Sequence, residues 1–391
     1  VSLDWIESAG CRVVNLLCKG SYKHVTEQLR KTPEQHVDDI RTVVLEAAKR
    51  KIDVNIYLED WSNGIKHSPD YVFLVIDALK GLPICRFMLP DTLGVLNPGN
   101  TYEYCKMMVD RYPDLRFDFH AHNDYDLAVA NVYSAIRAGI KGIHTTVNGL
   151  GERAGNAPLS SVLAVIKDQL GEETSLREEK INKASRLVET YSGVHIPPNK
   201  PIIGEHVFTQ CAGVHADGDS KNNLYCNDLL PERFGRVREY ALGKTSGKAN
   251  IRKNLEALGI DMDEGSMRKV TERIIELGDK KEMVTPEDLP YIISDVLHHD
   301  NALEDQKIRI LNYSLSLAQG LKPVATLKIE INGEAYEESA SGDGQYDAFV
   351  RALRRIYSRL NRPFPMLTNY SVSIPPGGRT DAFVQTVISW N

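Results

Sequence analysis

The first half of the chain repeats one unit, in which an apolar, β-branched run is followed by a segment of helical periodicity. The repeat length of about 30 residues is that of a strand with its helical crossover. We therefore predict a parallel sheet covered by helices. The five strand candidates are 12–17, 54–58, 84–89, 116–120 and 142–147, and two of the helix candidates are 37–51 and 127–138.

Most strand candidates end in polar or reactive residues, such as Lys19, Glu59, Asp91, His120 and Asn148. Such residues at the carboxyl ends of parallel strands are typical of a (β/α)8 barrel or of a doubly wound sheet. A closed barrel needs eight units, and this chain opens on a helix at 3–8 before the first of five. The residues alone leave open an α/β sheet and a TIM barrel whose first three strands are absent from the chain.

The second half changes pattern. Residues 172–300 are mostly helical in periodicity, with a loop-rich centre at 204–247. Strand patterns return at 308–317, 324–331 and 383–390, with one helix at 346–360. We predict a partial barrel domain at 1–171, helical linker subdomains at 172–300 and a separate α+β domain at 307–391.

Composition excludes several classes of protein. The 391 residues carry a net charge of -6 from 47 basic and 53 acidic side chains, which offers no broad positive field for nucleic acid. No apolar run approaches the roughly 18 residues that span a bilayer, and residues 1–20 do not resemble a signal peptide. We predict a cytoplasmic protein without a membrane partner. The cysteines form no C-x-x-C pair and are predicted to be reduced thiols: Cys11, Cys18, Cys85, Cys105, Cys211 and Cys226.

The strongest local signal is His120-Ala121-His122 at the end of the fourth strand candidate. Alternate side chains of a strand point to the same side, so the two imidazoles would face one direction together. A lone histidine more often belongs to the core, but this pair beside carboxylates favours a metal site. Two nitrogen ligands completed by oxygen ligands suit Zn, Mn, Mg or Fe.

Three further clusters carry polar side chains. The glycine-rich segment 148–156 contains neither a G-x-G-x-x-G nor a G-K-[ST] motif, so we interpret it as a tight turn that returns Glu152, Arg153 and Asn156 over the strand ends. Asn156 would offer a metal an oxygen ligand. Glu59-Asp60 is either a solvated rim or an acid-base pair. His215, between Gly213 and Gly218, is either a turn residue or a functional one.

Together these clusters resemble the Claisen-type acyl-CoA condensing enzymes, which include the 2-isopropylmalate, homocitrate and citramalate synthases. The matching motifs are 89–94 (LPDTLG), 120–124 (HAHND), 148–156 (NGLGERAGN) and 213–217 (GVHAD), in the family's order and spacing. The resemblance continues into a C-terminal allosteric domain through 342–344 (GDG) and 375–378 (PPGG). Segments 57–64 (YLEDWSNG) and 224–225 are most similar to the citramalate synthases of the Leptospira type.

The resemblance implies the barrel rather than the open sheet, with Val1 aligned after the family's third strand. The family's D-x-T-L-R-D-G-E-Q motif, which supplies one metal ligand, is not in this sequence. We therefore expect the chain alone to be far less active than a version with that motif.

By the same resemblance, a divalent metal (Mg, Mn or Zn) binds His120, His122 and Asn156, and acetyl-CoA is the co-substrate. Thr92 would hydrogen-bond the carboxylate of a 2-keto acid. Glu59 and His215 are the candidate bases, with Tyr225 nearby. Asp217 and Leu224 are candidate substrate-binding residues. In relatives the segment that carries these residues reaches the partner chain, so a homodimer is implied.

The resemblance also implies an effector and a preferred substrate. A branched-chain amino acid, most simply isoleucine, would bind at Tyr346, Asp347, Leu367, Tyr370, Ile374 and Val384. Leu17 and Tyr57 would line the keto-acid pocket, where they leave room for a methyl group but crowd an isopropyl group. We therefore expect pyruvate, and hence (R)-citramalate, to be preferred over 2-ketoisovalerate.

Three alternatives stay open. The first is a 2-isopropylmalate synthase of leucine biosynthesis instead of a citramalate synthase of isoleucine biosynthesis. The second is a metal-dependent acyl-CoA lyase, against which the strand-rich C-terminal segment argues. The third is a non-catalytic allosteric or interaction fragment.

Overall fold

The computed structural model describes residues 2–210, 213–220, 224–243, 247–279, 284, 288–297, 308–373 and 385–390. The chain divides into two compact units, Val1–Pro286 and Glu287–Asn391. Each unit contains its own β-sheets.

A five-stranded parallel sheet organises the first unit. Its strands follow chain order and are β1 (Val13–Lys19), β2 (Asp53–Glu59), β3 (Ile84–Asp91), β4 (Phe117–Ala121) and β5 (Gly142–His144). The predicted alternation of strands and helices is confirmed. Because parallel strands share one direction, the polar residues at their carboxyl ends collect at one edge.

Helices precede, connect and follow these strands. They are α1 (Ser2–Ser8), α2 (Pro33–Lys49), α3 (Trp61–His67), α4 (Pro69–Leu79), α5 (Pro98–Arg111), α6 (Ala128–Arg137) and α7 (Leu159–Leu170). Helix α2 begins four residues earlier than its periodicity predicts. Thr32 and Gln35 form a reciprocal capping box there, and Pro33 occupies the first turn.

The core of this unit lies between the sheet and its helices. Trp61, Phe87, Phe117 and Phe119 are the largest of its fully buried side chains. On β1 the alternate residues that point to the other face are open to solvent, and Leu17 is 61% exposed. The helices therefore pack against one face of the sheet, and on β1 the side chains of the other face point to solvent.

The strand predictions differ from the structure mainly at their ends. Strands β1 to β3 continue past the apolar run, because backbone pairing extends to Lys19, Glu59 and Asp91, and β4 ends one residue later than predicted. The prediction of a strand at 142–147 is wrong beyond His144. Asn148 adopts a left-handed conformation (φ 62°) within a short 3-10 turn at Val147–Gly149, which ends the extended chain.

The rest of the first unit is mainly helical, as predicted. It contains α8 (Ile181–Ser192), α9 (Gly213–Ser220), α10 (Lys248–Ala257) and α11 (Glu264–Asp279), with two short parallel strands, β6 (Thr209–Gln210) and β7 (Glu239–Tyr240). Arg233 joins this region to α7 by an ion pair with Asp168 (2.9 Å), and it also pairs with Glu178 of the turn before α8 (2.7 Å).

The second unit begins with α12 (Leu289–Leu297) and contains an antiparallel sheet of β8 (Ile308–Ser316), β9 (Val324–Ile331) and β10 (Glu334–Ser341) in the order β10-β9-β8. Helix α13 (Gln345–Arg359) covers it, and β11 (Leu367–Ser373) pairs with β12 (Gln385–Trp390). The sequence predicted the helix and three of these strands but missed β10 and β11. The predicted boundaries 1–171, 172–300 and 307–391 stay predictions.

Among the described residues, no helix combines the length and apolar character needed to cross a membrane. Cys11, Cys18, Cys85, Cys105 and Cys226 are free thiols, and Cys211 lies outside the described residues.

Candidate functional site

Two histidines at the carboxyl end of β4 form the centre of the candidate site. The ring centroids of His120 and His122 lie 5.0 Å apart, and those of His120 and His144 lie 5.6 Å apart. Strand pairing sets this arrangement, because His120 is in register with Pro90 on one side and with His144 on the other. The two imidazoles therefore lie next to each other at this end of β4.

Asn156 lies directly opposite His122 across an isolated antiparallel bridge. Its main-chain N–H donates to Gly149 O (3.0 Å) and its side-chain amide to Leu150 O (3.2 Å). Both His122 Nδ1 and Asn156 Oδ1 are buried without a hydrogen-bond partner among the described residues. Buried polar atoms are usually paired, so an unpaired nitrogen and oxygen on facing residues fit two ligands of a metal ion.

The described residues do not complete such a site with acidic, histidine or cysteine side chains alone. Within that part of the chain, no group of three or more His, Cys, Asp or Glu residues is placed to hold a metal. The two imidazoles and the Asn156 amide oxygen are therefore the candidates to hold a metal, and a metal site on them stays a prediction.

Close backbone approaches shape the glycine-rich loop around Asn156. Gly155 has a φ of +85°, and a Cβ there would lie 2.0 Å from Gly149 O. Arg153, also left-handed at φ 53°, donates to both oxygens of Asp124 (2.7 and 2.9 Å) and to Thr92 O (2.8 Å). The loop is thereby fastened over the ends of β3 and β4.

The environment keeps both imidazoles neutral near physiological pH. Burial, and to a lesser extent the neighbouring His122 and His144, lower the pKa of His120 to about 4. Burial also lowers the pKa of His122, with a smaller contribution from the positive charge of Arg153. A neutral imidazole has a lone pair to offer, which is the form that coordinates a metal.

Asp118 lies two residues before His120 on β4, so its side chain is on the same face of the strand, and it is the centre of an ion network. Asp118 accepts from Arg86 (2.8 Å) and lies 3.6 Å from His144 Nε2. Burial acts to raise the pKa of Asp118, but hydrogen bonds from His144 and Arg86 outweigh it and lower the value to about 2. The charged side chains of Asp118 and Arg86 therefore lie next to the candidate site, on the side of β4 that precedes His120.

The ends of β1 and β2 form the other side of the site. Glu59 accepts a hydrogen bond from the ammonium of Lys19, its register partner. The Tyr57 ring stands edge-on to His120 with centroids 5.8 Å apart, and Leu17 is the register partner of Tyr57. Burial raises the pKa of Tyr57 to about 12, helped by the negative charges of Glu59 and Glu152. The phenol is therefore neutral.

Thr92 follows β3 and contacts the end of β2. Its hydroxyl oxygen accepts from the main-chain N–H of Asp60 (2.8 Å), a residue held in the left-handed region at φ 63°. The preceding Asp91 is fully buried, and its carboxylate accepts from the main-chain N–H groups of Val95 and Leu96 (3.0 Å each). Burial raises the pKa of Asp91.

The two ring residues of the later segment lie together. His215 on α9 and Tyr225 have ring centroids 4.3 Å apart. Asp217 lies on the same helix, and Leu224 is 68% exposed. In the described part of this single chain, neither ring forms a hydrogen bond or ring contact with Glu59 or His120. The structure therefore brings the predicted residues together as two groups rather than one.

The predicted effector residues fall in the second unit. Tyr346 and Tyr370 have ring centroids 4.9 Å apart, and Trp390 lies 6.4 Å from Tyr346. Asp347 accepts from the main-chain N–H of Asp343 (2.9 Å) and pairs with Arg351, while Leu367 is 41% exposed. Ile374 and Val384 lie outside the described residues.

Sequence reasoning missed the polar partners of the site. Lys19 was noted only as part of a strand end, and Arg86, Asp118 and His144 were not singled out. Their one visible signal is a charged residue inside an otherwise apolar strand run, where charge is costly unless it is paired. The partner itself lies 26 to 40 residues away in sequence, so spacing does not reveal it.

Comparison with protein families agrees with the order of these parts. The HMGL-like family matches residues 3–188, the homocitrate synthase post-HMGL domain-like family matches 202–282, and the LeuA allosteric (dimerisation) domain matches 283–391. The matched families support the predicted fold class, a TIM barrel family followed by a helical region and a C-terminal α+β domain.

Individual relatives span nearly the whole chain. An (R)-citramalate synthase of Methanocaldococcus jannaschii is 31% identical over 96% of this chain and 75% of that protein. A probable 2-isopropylmalate synthase of Methanopyrus kandleri is 33% identical over 99% of this chain and 76% of that protein. Another protein of Methanopyrus kandleri, provisionally named (R)-citramalate synthase, is 33% identical over 97% and 73%. The chain therefore belongs to the family of the citramalate and 2-isopropylmalate synthases, and it is an acyltransferase of that acetyl-CoA-dependent type.

Proposed function

We propose that this enzyme condenses acetyl-CoA with a 2-keto acid, and that pyruvate is the acid it prefers, giving (R)-citramalate and CoA. The observation that carries the proposal is the arrangement at the sheet edge. The half-buried Tyr57 ring of β2 lies against His120 of the imidazole pair, and Glu59 follows Tyr57 by two residues on the same face of β2. A candidate ligand set and a candidate base thus belong to the same edge of one sheet, and condensation requires both.

His120, His122 and Asn156 are the residues that would hold a divalent metal. When bound there, the metal supplies Lewis-acid polarisation of the keto acid's carbonyl. The protein's own contribution is to present two neutral imidazoles and an amide oxygen already fixed by strand pairing and by the Gly149 and Leu150 hydrogen bonds. Such fixed ligands need little rearrangement.

Thr92 is suited to hold the carboxylate of the keto acid. Its oxygen already accepts the Asp60 N–H, so its own proton is free to point towards a substrate oxygen. Arg153 pairs with Asp124 and bonds Thr92 O, which fixes the segment that carries this hydroxyl.

Condensation needs a base to take a proton from the acetyl methyl group. Glu59 is the candidate on the sheet edge, and His215 beside Tyr225 is the candidate on the later segment. We assign the second pair to the partner subunit's site in a homodimer, together with Asp217 and Leu224. The matching LeuA allosteric (dimerisation) domain supports a dimer.

The choice of keto acid rests on Leu17 and Tyr57. They are register partners on neighbouring strands, and the Tyr57 ring lies against His120. A tyrosine beside the ligand pair narrows the space for the keto acid's side chain. The runner-up is 2-ketoisovalerate, because several relatives carry the name probable 2-isopropylmalate synthase.

The experiment is a comparison of CoA release. Purified protein with Mg²⁺, Mn²⁺ or Zn²⁺ is given acetyl-CoA with pyruvate, with 2-ketoisovalerate or with no keto acid, and free thiol is followed. We expect release that depends on a keto acid and a higher kcat/KM for pyruvate. A higher value for 2-ketoisovalerate would replace citramalate by 2-isopropylmalate as the product. Release of acetyl-CoA from a hydroxyacyl-CoA, without condensation, would favour lyase chemistry.

A further inference from the structure

A buried polar cluster lies behind the end of β1 and contains no residue with a role in the proposed function. It consists of His36 on α2, Tyr71 on α4 and the main chain of Lys19, which are 4%, 5% and 8% exposed. The Lys19 N–H donates to His36 Nε2 (3.3 Å), and the Tyr71 hydroxyl donates to Lys19 O (3.0 Å). His36 Nδ1 and the Tyr71 oxygen lie 2.8 Å apart.

These three contacts determine the tautomer of His36. Because Nε2 accepts from the Lys19 amide, the proton of a neutral ring must be on Nδ1, where it donates to the Tyr71 oxygen. Tyr71 then donates its own proton to Lys19 O. Each donor in the cluster has one acceptor, so the hydrogen bonds close into a ring that holds both the N–H and the C=O of Lys19.

The side chain of the same lysine crosses to the next strand. Its ammonium donates to Glu59 Oε2, with side-chain exposures of 10% for Lys19 and 27% for Glu59. This contact holds the Glu59 carboxylate at one place on the sheet edge. If the carboxylate moved away, the largely buried Lys19 ammonium would be left without its counter-charge, which is costly.

We propose that Lys19 is a positioning residue for Glu59, and that the His36–Tyr71 pair fixes the lysine's main chain so that the Glu59 carboxylate is held at the sheet edge. This inference rests on the proposed role of Glu59 in proton transfer. Lys19 itself acts through Glu59.

The local backbone has little freedom to compensate. The Gly20 N–H donates to Glu59 O (2.6 Å), and a Cβ on Gly64 of α3 would lie 1.9 Å from Gly20 O. The chain after Lys19 is therefore packed directly against α3. A lost Lys19–Glu59 contact should release the Glu59 side chain rather than move the strand.

The kinetic test compares Lys19→Met and Lys19→Arg with Lys23→Met, which alters an exposed lysine four residues along. CoA release with acetyl-CoA and pyruvate is measured. Lys19→Met should lower kcat by about 100-fold, the scale of a misplaced reacting group, with little change in either KM. Lys19→Arg keeps the charge and should recover most of the loss. Lys23→Met should match wild type.

The cluster behind the lysine is tested by Tyr71→Phe, with Tyr22→Phe as its control, since Tyr22 is 50% exposed and its ring lies 6.2 Å from that of Tyr71. Tyr71→Phe should lower kcat with unchanged KM, and Tyr22→Phe should not. Equal kcat in both variants would overturn the part of the inference that concerns the cluster.

A second measurement does not depend on turnover. The side-chain ¹³C carboxyl resonance of Glu59, assigned by its loss in Glu59→Gln, is recorded at pH 7 in each folded variant. We expect the chemical shift of this resonance to change in Lys19→Met and to remain unchanged in Lys23→Met. An unmoved resonance overturns the inference, as does wild-type kcat in Lys19→Met. If wild type releases no CoA but the resonance moves, the proposed function fails while the positioning contact stands.

Discussion

At the scale of single residues, the imidazole pair is the feature on which the chemistry depends. We predict that His120→Ala or His122→Ala lowers CoA release by more than about 100-fold, because a lost ligand costs more than the 10- to 100-fold typical of residues that only orient ligands. Bound metal, measured on the same samples, should fall in parallel, and circular dichroism should show an intact fold.

The control for these variants is His195→Ala, whose ring is 88% exposed. It should keep wild-type activity and metal content. Unchanged turnover of wild type after exhaustive chelation would contradict the metal assignment.

Tyr57 gives a second prediction at this scale. Tyr57→Ala removes the ring that lies against His120, so space opens for a branched side chain. The ratio of kcat/KM for 2-ketoisovalerate to that for pyruvate should rise by about 10- to 200-fold, the range set by small apolar differences in a pocket. A ratio that does not rise means that the pocket lies elsewhere.

At the scale of elements, the loop of 148–156 is held by close backbone approach. Gly155→Ala places a Cβ 2.0 Å from Gly149 O at φ +85°, whereas Gly171→Ala at φ +68° meets no atom within 4 Å. In both variants the left-handed conformation of the alanine should lower the free energy of unfolding by about 1 kcal/mol. Only Gly155→Ala should lower the free energy of unfolding, measured in urea, by several kcal/mol more. It should also lose metal binding. Equal losses would show that the loop tolerates the clash.

The ion pairs of Arg233 predict a pH dependence of stability. The Arg233 hydrogen bond lowers the pKa of Glu178 in the folded state. The ionised Glu178 therefore contributes its full stabilisation above the pKa it has in the unfolded chain, about 4.3. This contribution is lost as the pH falls through the lower pKa of the folded state. Arg233→Met should cost about 3 kcal/mol at pH 7, and the gap to wild type should shrink below pH 4.

The matched change is Arg186→Met, because the Arg186–Glu189 pair lies on one helix with Arg186 51% exposed. It should cost under about 1 kcal/mol. Similar losses for the two arginines at pH 7, measured by urea unfolding, would contradict the account of Arg233.

Local pattern explains which elements the sequence predicted. Apolar runs located the five parallel strands, but β10 (Glu334–Ser341) is mostly polar, and pairing with β9 rather than its own composition makes it a strand. In the candidate site, the His120 and His122 spacing is local and was visible. The Lys19–Glu59 contact depends on strand register across 40 residues, which one sequence does not reveal.

At the scale of the whole molecule, regulation is the feature to test. We predict that isoleucine binds the full chain and lowers its turnover, through Tyr346 and Tyr370 of the second unit. Tyr346→Ala should abolish the heat of binding in calorimetry, and Tyr291→Ala, which alters a tyrosine 77% exposed, should not. A wild-type protein that gives no heat with isoleucine or leucine would contradict the effector assignment.

Everything proposed for this enzyme depends on the sheet edge condensing acetyl-CoA with a keto acid. The most direct measurement is to incubate the protein and a divalent metal with acetyl-CoA and [2-¹³C]pyruvate and to follow the product by NMR. We expect the ketone carbon resonance to be replaced by that of a tertiary alcohol, with one CoA released per product and with no product from Glu59→Gln. Recovery of unchanged pyruvate, with the wild-type protein folded and metal-bound, would contradict the claim.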